Sequence, residues 1–249
     1  MRSKQEVAAS FDGKAEEYSL RRESSYGFRT QRRLVLSMIG GREGRALEVG
    51  CGSGGIAADL VERGFNVVAI DLSLEMLRAA RGRLAQDGVR FLRADAERLC
   101  FRAAGFDLVV AMGVLEYLPD PGEAIAEIRR VLRDGGEAIV TVPTSISPSA
   151  LMDRLFESFP ASLRRMLLWR DTLPKGDPVH RLAPWELDRA LARAGLEPRE
   201  RGFCQFTMFP VDAVLPALSE RIGRLLEPLG RNRFTGLLAR QYLVRTVAR

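Results

Sequence analysis

With 249 residues, 46% of them hydrophobic and 28% charged, the chain can bury a full core and is too apolar for intrinsic disorder. No apolar run approaches the roughly 20 residues of a membrane span, and Met1–Glu6 lacks an apolar signal core, so a cytoplasmic location is expected. Three widely spaced cysteines, Cys51, Cys100 and Cys204, fit reduced thiols and offer neither a disulfide framework nor a zinc pattern, so no metal is expected. Residues 1–150 balance their charges, and the whole formal excess of +6 falls in residues 151–249. Because only Lys4, Lys14 and Lys175 are lysines, that surplus is almost wholly arginine. It suits a solvated basic face, or else an acidic substrate, a carrier protein or an anionic lipid surface.

In chain order, Phe11-Asp12-Gly13-Lys14-Ala15-Glu16-Glu17-Tyr18 and a helix pattern over Tyr26–Ile39 precede the first strand. Short apolar runs predict strands at Ala46–Val49, Asn66–Asp71, Val89–Ala94, Asp107–Met112 and Glu137–Val142. Helix patterns at Ile56–Arg63, Leu74–Gln86 and Gly122–Leu132 alternate with them, which predicts a parallel sheet covered on both faces. After Pro143 the pattern changes. Ser147-Pro148 opens a helix with Leu151, Leu155 and Leu163 on one face, Pro160 divides it, and a polar loop at 172–181 leads to a helix from Pro184 to Ala194. Arg201–Phe209 and Gln241–Ala248 read as the last strands, and between them Val211, Val214, Leu215, Leu218, Ile222, Leu225, Leu226 and Leu229 keep helical spacing.

The segment Leu47-Glu48-Val49-Gly50-Cys51-Gly52-Ser53-Gly54 joins an apolar strand to a helix through alternating glycines, which let the backbone turn sharply and approach a ligand closely. Asp71 follows Gly50 at about the 20-residue spacing at which an acid reaches ribose hydroxyls. Glu48, just before the loop, would repel a pyrophosphate and favour a ligand bearing an ammonium or sulfonium. Ligands in such sheets sit at the carboxyl ends of the strands, where Gly50, Asp71, Asp95 and Met112 all fall.

This loop resembles the first motif of the class I S-adenosylmethionine-dependent methyltransferases. Phe91–Leu99 is similar to the family's third motif, Phe106–Pro121 to its fourth, and Asp134–Pro143 to its turn and fifth strand, so the resemblance runs over roughly residues 40–143 in order. It implies an α/β fold, a Rossmann-like, doubly wound, mostly parallel seven-stranded sheet with a final antiparallel strand and helical cap insertions. It divides the chain into an N-terminal helical lid at 1–40, a cofactor-binding core at 41–145, and cap insertions with the last strands at 146–249. The implied cofactor is S-adenosyl-L-methionine, with S-adenosyl-L-homocysteine as product. Glu48 and the Gly50, Cys51, Gly52 and Gly54 backbone would hold the methionine part, Asp71 the ribose, and Asp95 and Ala96 the adenine. Leu72, Met76 and Met112 would sandwich the base and thioether, and Tyr18, Glu97 and Gly113 would complete the pocket.

Such an enzyme gains rate by holding its acceptor in line with the carbon–sulfur bond and by excluding water, so few catalytic side chains are required. Tyr117, where many relatives of the small-molecule type carry histidine, and His180, the one histidine of the chain, are the candidate acid–base residues. The expected reaction is methylation of a small-molecule hydroxyl or carboxylate, the acceptor being acidic or lipophilic. Transfer to nitrogen or carbon is the alternative, and a catalytically silent S-adenosylmethionine-binding interaction protein is the alternative of another class. A nicotinamide oxidoreductase is disfavoured by Glu48. Nucleic acid is disfavoured as a partner because the chain shows no Asn-Pro-Pro-Tyr type motif and no basic stripe interleaved with aromatics. Contact with a membrane surface or a carrier protein stays open.

Overall fold

A computed structural model describes residues 3–15, 25–41, 43–84, 88–118, 120–151, 180–206, 215–231 and 236–249. Its centre is a seven-stranded sheet of order β3-β2-β1-β4-β5-β7-β6. The strands are β1 Gly44–Val49, β2 Phe65–Asp71, β3 Val89–Arg93, β4 Phe106–Met112, β5 Leu132–Pro143, β6 Leu196–Cys204 and β7 Gln241–Ala248. β1 to β5 pair in parallel, and β7 pairs antiparallel with both β5 and β6, so β7 alone runs against the rest. Strand order reverses between β1 and β4, which opens a crevice at their carboxyl ends.

Alternation along the strands builds a core on each face. Leu47, Val49, Val68, Ile70, Val109 and Ala111 point to the face covered by helices α5 (Pro121–Val131) and α6 (Pro184–Arg193), which contribute Ile125, Ile128, Leu187 and Leu191. Ala46, Val67, Ala69, Leu108 and Val110 point to the other face, covered by α2 (Tyr26–Met38), α3 (Gly55–Glu62) and α4 (Leu74–Arg83) through Val35, Ile56, Leu60 and Leu77. Each fully buried aliphatic side chain contributes about 1.5–3 kcal/mol. The helix starts are written locally: Ser25 Oγ accepts from Phe28 N at 3.2 Å and Ser73 Oγ from Met76 N at 3.1 Å. At α5, Asp120 Oδ1 accepts from Gly122 N at 2.8 Å beside Pro121.

Three expectations change. The N-terminal helix α1 spans Lys4–Asp12, inside the lid expected at 1–40 but starting ahead of the Phe11–Tyr18 segment singled out there. Its signal was the Ser3-Lys4-Gln5-Glu6 capping box, in which Ser3 N donates to Glu6 Oε2 at 2.7 Å. β6 begins at Leu196, five residues before the expected Arg201, and ends at Cys204. Its first half, with Glu197, Pro198 and Arg199, reads as loop but serves on an edge, where one side needs no partner strand. The helix over 211–229 appears as α7 (Pro216–Leu226) followed by a 3₁₀ turn at Glu227–Arg231. Of the helix after Ser147 only the first turn, 148–151, is described. Tyr18, Leu155, Leu163, Val211 and Val214 lie outside the described residues.

Candidate functional site

A cavity of about 730 Å³ opens at the carboxyl ends of β1, β2, β3 and β4. β1 delivers the glycine loop to its floor. Gly50, Gly52 and Gly54 have φ of +68°, +51° and +81°, all left-handed. A Cβ on Gly50 would lie 2.8 Å from Val114, and one on Gly54 2.8 Å from Leu84, so these two glycines allow close packing. A Cβ on Gly52 would meet nothing within 4 Å, so there the backbone itself faces open space. No side chain caps α3, which starts at Gly55 directly after the loop.

Two strand-end carboxylates face this space. Asp71 Oδ2 accepts from Gly52 N at 2.8 Å and its Oδ1 accepts from Ser73 N at 2.9 Å, so one side chain fixes both the glycine loop and the start of α4. Asp95 Oδ1 accepts from Glu97 N at 3.0 Å, and its Oδ2 accepts from Lys4 Nζ at 2.7 Å. Lys4 also pairs with the buried Glu97, and the bonds to Asp95 and Glu97 raise the Lys4 pKa above its ordinary value.

Helix α1 forms one wall through Lys4, Val7, Ala8 and Phe11. It is held at its far end by Asp12 Oδ1, which accepts from Ser73 Oγ at 2.5 Å and Glu75 N at 3.2 Å. Phe11 meets Tyr117 edge-on with ring centroids 5.3 Å apart. Sequence reading missed Lys4, Val7, Ala8, Val114 and Leu118, because a wall built from separate elements has no local pattern.

Of the residues singled out by sequence, Gly50, Gly52, Asp71, Leu72, Met76, Asp95, Ala96, Gly113 and Tyr117 line the cavity. Glu48, Cys51, Gly54, Glu97, Met112 and His180 are not part of that wall. Glu48 is buried on β1, on the same side of the strand as Ala46. Cys51 is buried too, donates its backbone N–H to Ile70 O at 2.9 Å, and has its thiol pKa pushed up first by burial and then by Glu48 and Asp71. His180 N donates to Glu116 O at 2.7 Å, which brings that residue beside the 3₁₀ turn at Leu115–Tyr117. On the other side of the crevice, Thr141 Oγ1 accepts from Gly113 N at 3.0 Å and from Gln31 Nε2 at 2.8 Å, tying α2 to the end of β4.

The cavity suits an elongated ligand with hydroxyls for Asp71, a donor for Asp95 and an apolar middle for Leu72, Met76 and Ala96. An S-adenosyl group meets all three conditions, and the open backbone at Gly52 leaves room for it.

Comparison with known proteins agrees with this geometry. Residues 47–140 match the methyltransferase domain family. The chain is 32% identical over 161 residues to the ubiquinone biosynthesis O-methyltransferase of Aromatoleum aromaticum, covering 63% of this chain and 65% of that one. It is 36% identical over 138 residues to the demethylmenaquinone methyltransferase of Renibacterium salmoninarum, covering 54% and 57%. The matched stretch thus spans less than two thirds of either relative. Among solved structures, the magnesium protoporphyrin IX methyltransferase of Synechocystis with bound S-adenosylhomocysteine superposes with a TM-score of 0.69 over 99% of this chain and 100% of that one. At 13% identity that likeness concerns the fold.

Proposed function

We propose that this chain is a class I S-adenosylmethionine-dependent methyltransferase that transfers a methyl group to a small-molecule acceptor, with a hydroxyl or carboxylate oxygen as the attacking atom. The observation that carries this reading is the opening of two strand-end carboxylates, Asp71 and Asp95, into one cavity floored by a glycine loop. The printed name of the Aromatoleum relative, an O-methyltransferase of ubiquinone biosynthesis, supports an oxygen acceptor, and the quinone names of both relatives support a lipophilic molecule.

When bound, S-adenosylmethionine supplies an electrophilic sulfonium methyl. Asp71 accepts from the ribose hydroxyls while keeping its two backbone donors, because each carboxylate oxygen has a second lone pair. Asp95 would accept from the adenine amino group, and Lys4, which donates to both Asp95 and Glu97, would hold α1 beside it. Glu48, buried behind the loop, adds negative potential that favours the cationic end. Val7, Ala8 and Phe11 of α1 exclude water, and Gly113, Val114, Tyr117 and Leu118 shape the acceptor side. Tyr117 lines the cavity, which makes it the better placed of the two candidates to take the acceptor's proton when that is a hydroxyl, while His180 is tied to the same turn through its backbone N–H. Residues 1–40 then act as the lid, 41–145 as the cofactor core, and 146–249 as cap and last strands.

Calorimetric titration with S-adenosylhomocysteine, with NAD alongside, tests the cofactor. Micromolar binding of the first alone supports the reading, and binding of NAD alone overturns it. Transfer of label from methyl-labelled S-adenosylmethionine to hydroxylated quinone precursors, compared with carboxylates, then assigns the acceptor atom.

A further inference from the structure

Helix α7 and the residue that precedes it carry Leu215, Leu218, Ile222 and Leu225 exposed by 54, 46, 39 and 78%. Spacings of three, four and three place them on one ridge. Single exposed leucines are ordinary, but four in one line on a short helix are not. The adjacent face of the helix makes the protein contact: Ser219 and Gly223 are buried, and a Cβ on Gly223 would come within 2.6 Å of the Tyr26 hydroxyl of α2.

Arginines flank the ridge. Arg221 and Arg224 are exposed on α7, and Arg29 and Arg33 are exposed on α2 beside it. Arg29 and Arg224 share Glu220, and Arg33 pairs with Glu227, so among the described residues of this face four exposed arginines stand beside two glutamates. Between α2 and the end of α7 lies a groove of about 800 Å³ lined in part by Leu34, Phe203 and Pro228 together with Arg33 and Arg224. Leu237 and Leu238 add further exposed aliphatic surface, and Gly236 before them packs on the same Phe203 as Gly230 at the end of the 3₁₀ turn.

We propose that this face is a seat for an anionic membrane surface, in which the α7 ridge enters the headgroup–acyl boundary and the arginines meet lipid phosphates. An aliphatic ridge bordered by arginines is the pattern of a helix lying in that boundary. A protein partner would more commonly meet aromatic anchors with charge kept out of the centre. The seat also lies on α2, one helix diameter (about 10 Å) from the side on which Gln31 bonds to Thr141, whose hydroxyl also holds Gly113 of the cavity wall. A lipophilic acceptor leaving the bilayer would therefore have a short path to the site. The inference goes beyond methyl transfer and does not depend on it.

The test is co-sedimentation of the full chain with vesicles of phosphatidylcholine, with and without about 30% phosphatidylglycerol, at low and high salt. Wild type should bind the anionic vesicles and lose binding at high salt. The double variant Leu218→Ser/Leu225→Ser should partition about tenfold less, and Arg221→Glu about tenfold less. Arg90→Glu, with the same charge change on the opposite sheet edge, should bind as wild type. Affinity for S-adenosylhomocysteine, unchanged in all variants, reports that they are folded, and should the wild type fail to bind that ligand, circular dichroism reports folding and the vesicle result still decides the seat. Equal binding to neutral vesicles, equal loss in Arg90→Glu, or full binding by the leucine variant would overturn the proposal. So would a dimer in sedimentation velocity that Leu225→Ser dissolves without vesicle binding by the wild type, which would make the ridge a contact between two copies of this chain.

Discussion

Replacement of Asp71 gives the sharpest test of the cofactor site, because its carboxylate has two duties that separate in magnitude. In the protein alone it accepts from Gly52 N and Ser73 N at 2.8 and 2.9 Å. Hydrogen bonds to a charged group contribute about 1.5–3 kcal/mol each, and partial exposure brings the sum to about 1–3 kcal/mol. Asp71→Ala should therefore lower Tm by several degrees, at about 2–4 °C per kcal/mol for a chain of this size. A strand-end acid is in this case also a structural bracket. In the complex, loss of the acceptor for two ribose hydroxyls removes at least about 3 kcal/mol, or more than about 100-fold in Kd. Asp71→Asn keeps one acceptor oxygen and should fall between, at about 10–30-fold. Titration calorimetry with S-adenosylhomocysteine, paired with thermal unfolding of the same samples, reads both numbers. A folded Asp71→Ala protein that binds within about threefold of wild type would refute the assignment of Asp71 to the ribose.

Gly50→Ala should abolish measurable S-adenosylhomocysteine binding and cost about 1–3 kcal/mol in urea unfolding, since φ is +68° and the new Cβ would sit 2.8 Å from Val114. Lys4→Ala removes the bonds to Asp95 and Glu97, so amide exchange across Lys4–Asp12 should speed up by about fivefold in mass spectrometry, equivalent to about 1 kcal/mol. Tyr242→Phe deletes a fully buried hydroxyl that donates to Asp188 Oδ1 at 2.6 Å while Arg201 Nε still holds Oδ2 at 2.7 Å. Urea unfolding should show a loss of about 1–2 kcal/mol with ligand binding untouched. Asp107 is held below its ordinary 3.8 by the Arg45 N–H and then by Arg133. The folded state therefore binds fewer protons than the unfolded one, and this stabilisation is full above about pH 4 and fades as pH falls through the lowered value. Asp107→Asn should flatten that acid limb of a urea-unfolding series.

Residues 44–143 were legible because their structure is local in cause. Each strand contains a short apolar run, although β5 begins at Leu132, five residues before its run. Helices α4 and α5 open on capping side chains, and positive φ at the loop demanded glycine, so Gly50, Gly52, Asp71 and Asp95 could be placed at the carboxyl ends of the strands from spacing. The edge strand β6 was read five residues late because one-sided pairing tolerates Pro198 and charged neighbours that a central strand would reject. Helix α1 carried a legible capping box, yet its seat over the cavity depends on contacts between Lys4 and Asp95 and between Asp12 and Ser73, 91 and 61 residues apart.

Sequence by itself thus determined the alternating strands and helices, the glycine loop and its two acids, since hydrophobic periodicity and backbone φ are properties of neighbouring residues. Tertiary structure decided which of those residues face the cavity. It turned Asp71 into a bracket between two loops, set Glu48 and Met112 behind the wall, and left the α7 ridge outside the core. These outcomes depend on which side of an element its neighbours cover, and a periodic pattern gives the face without naming what will meet it.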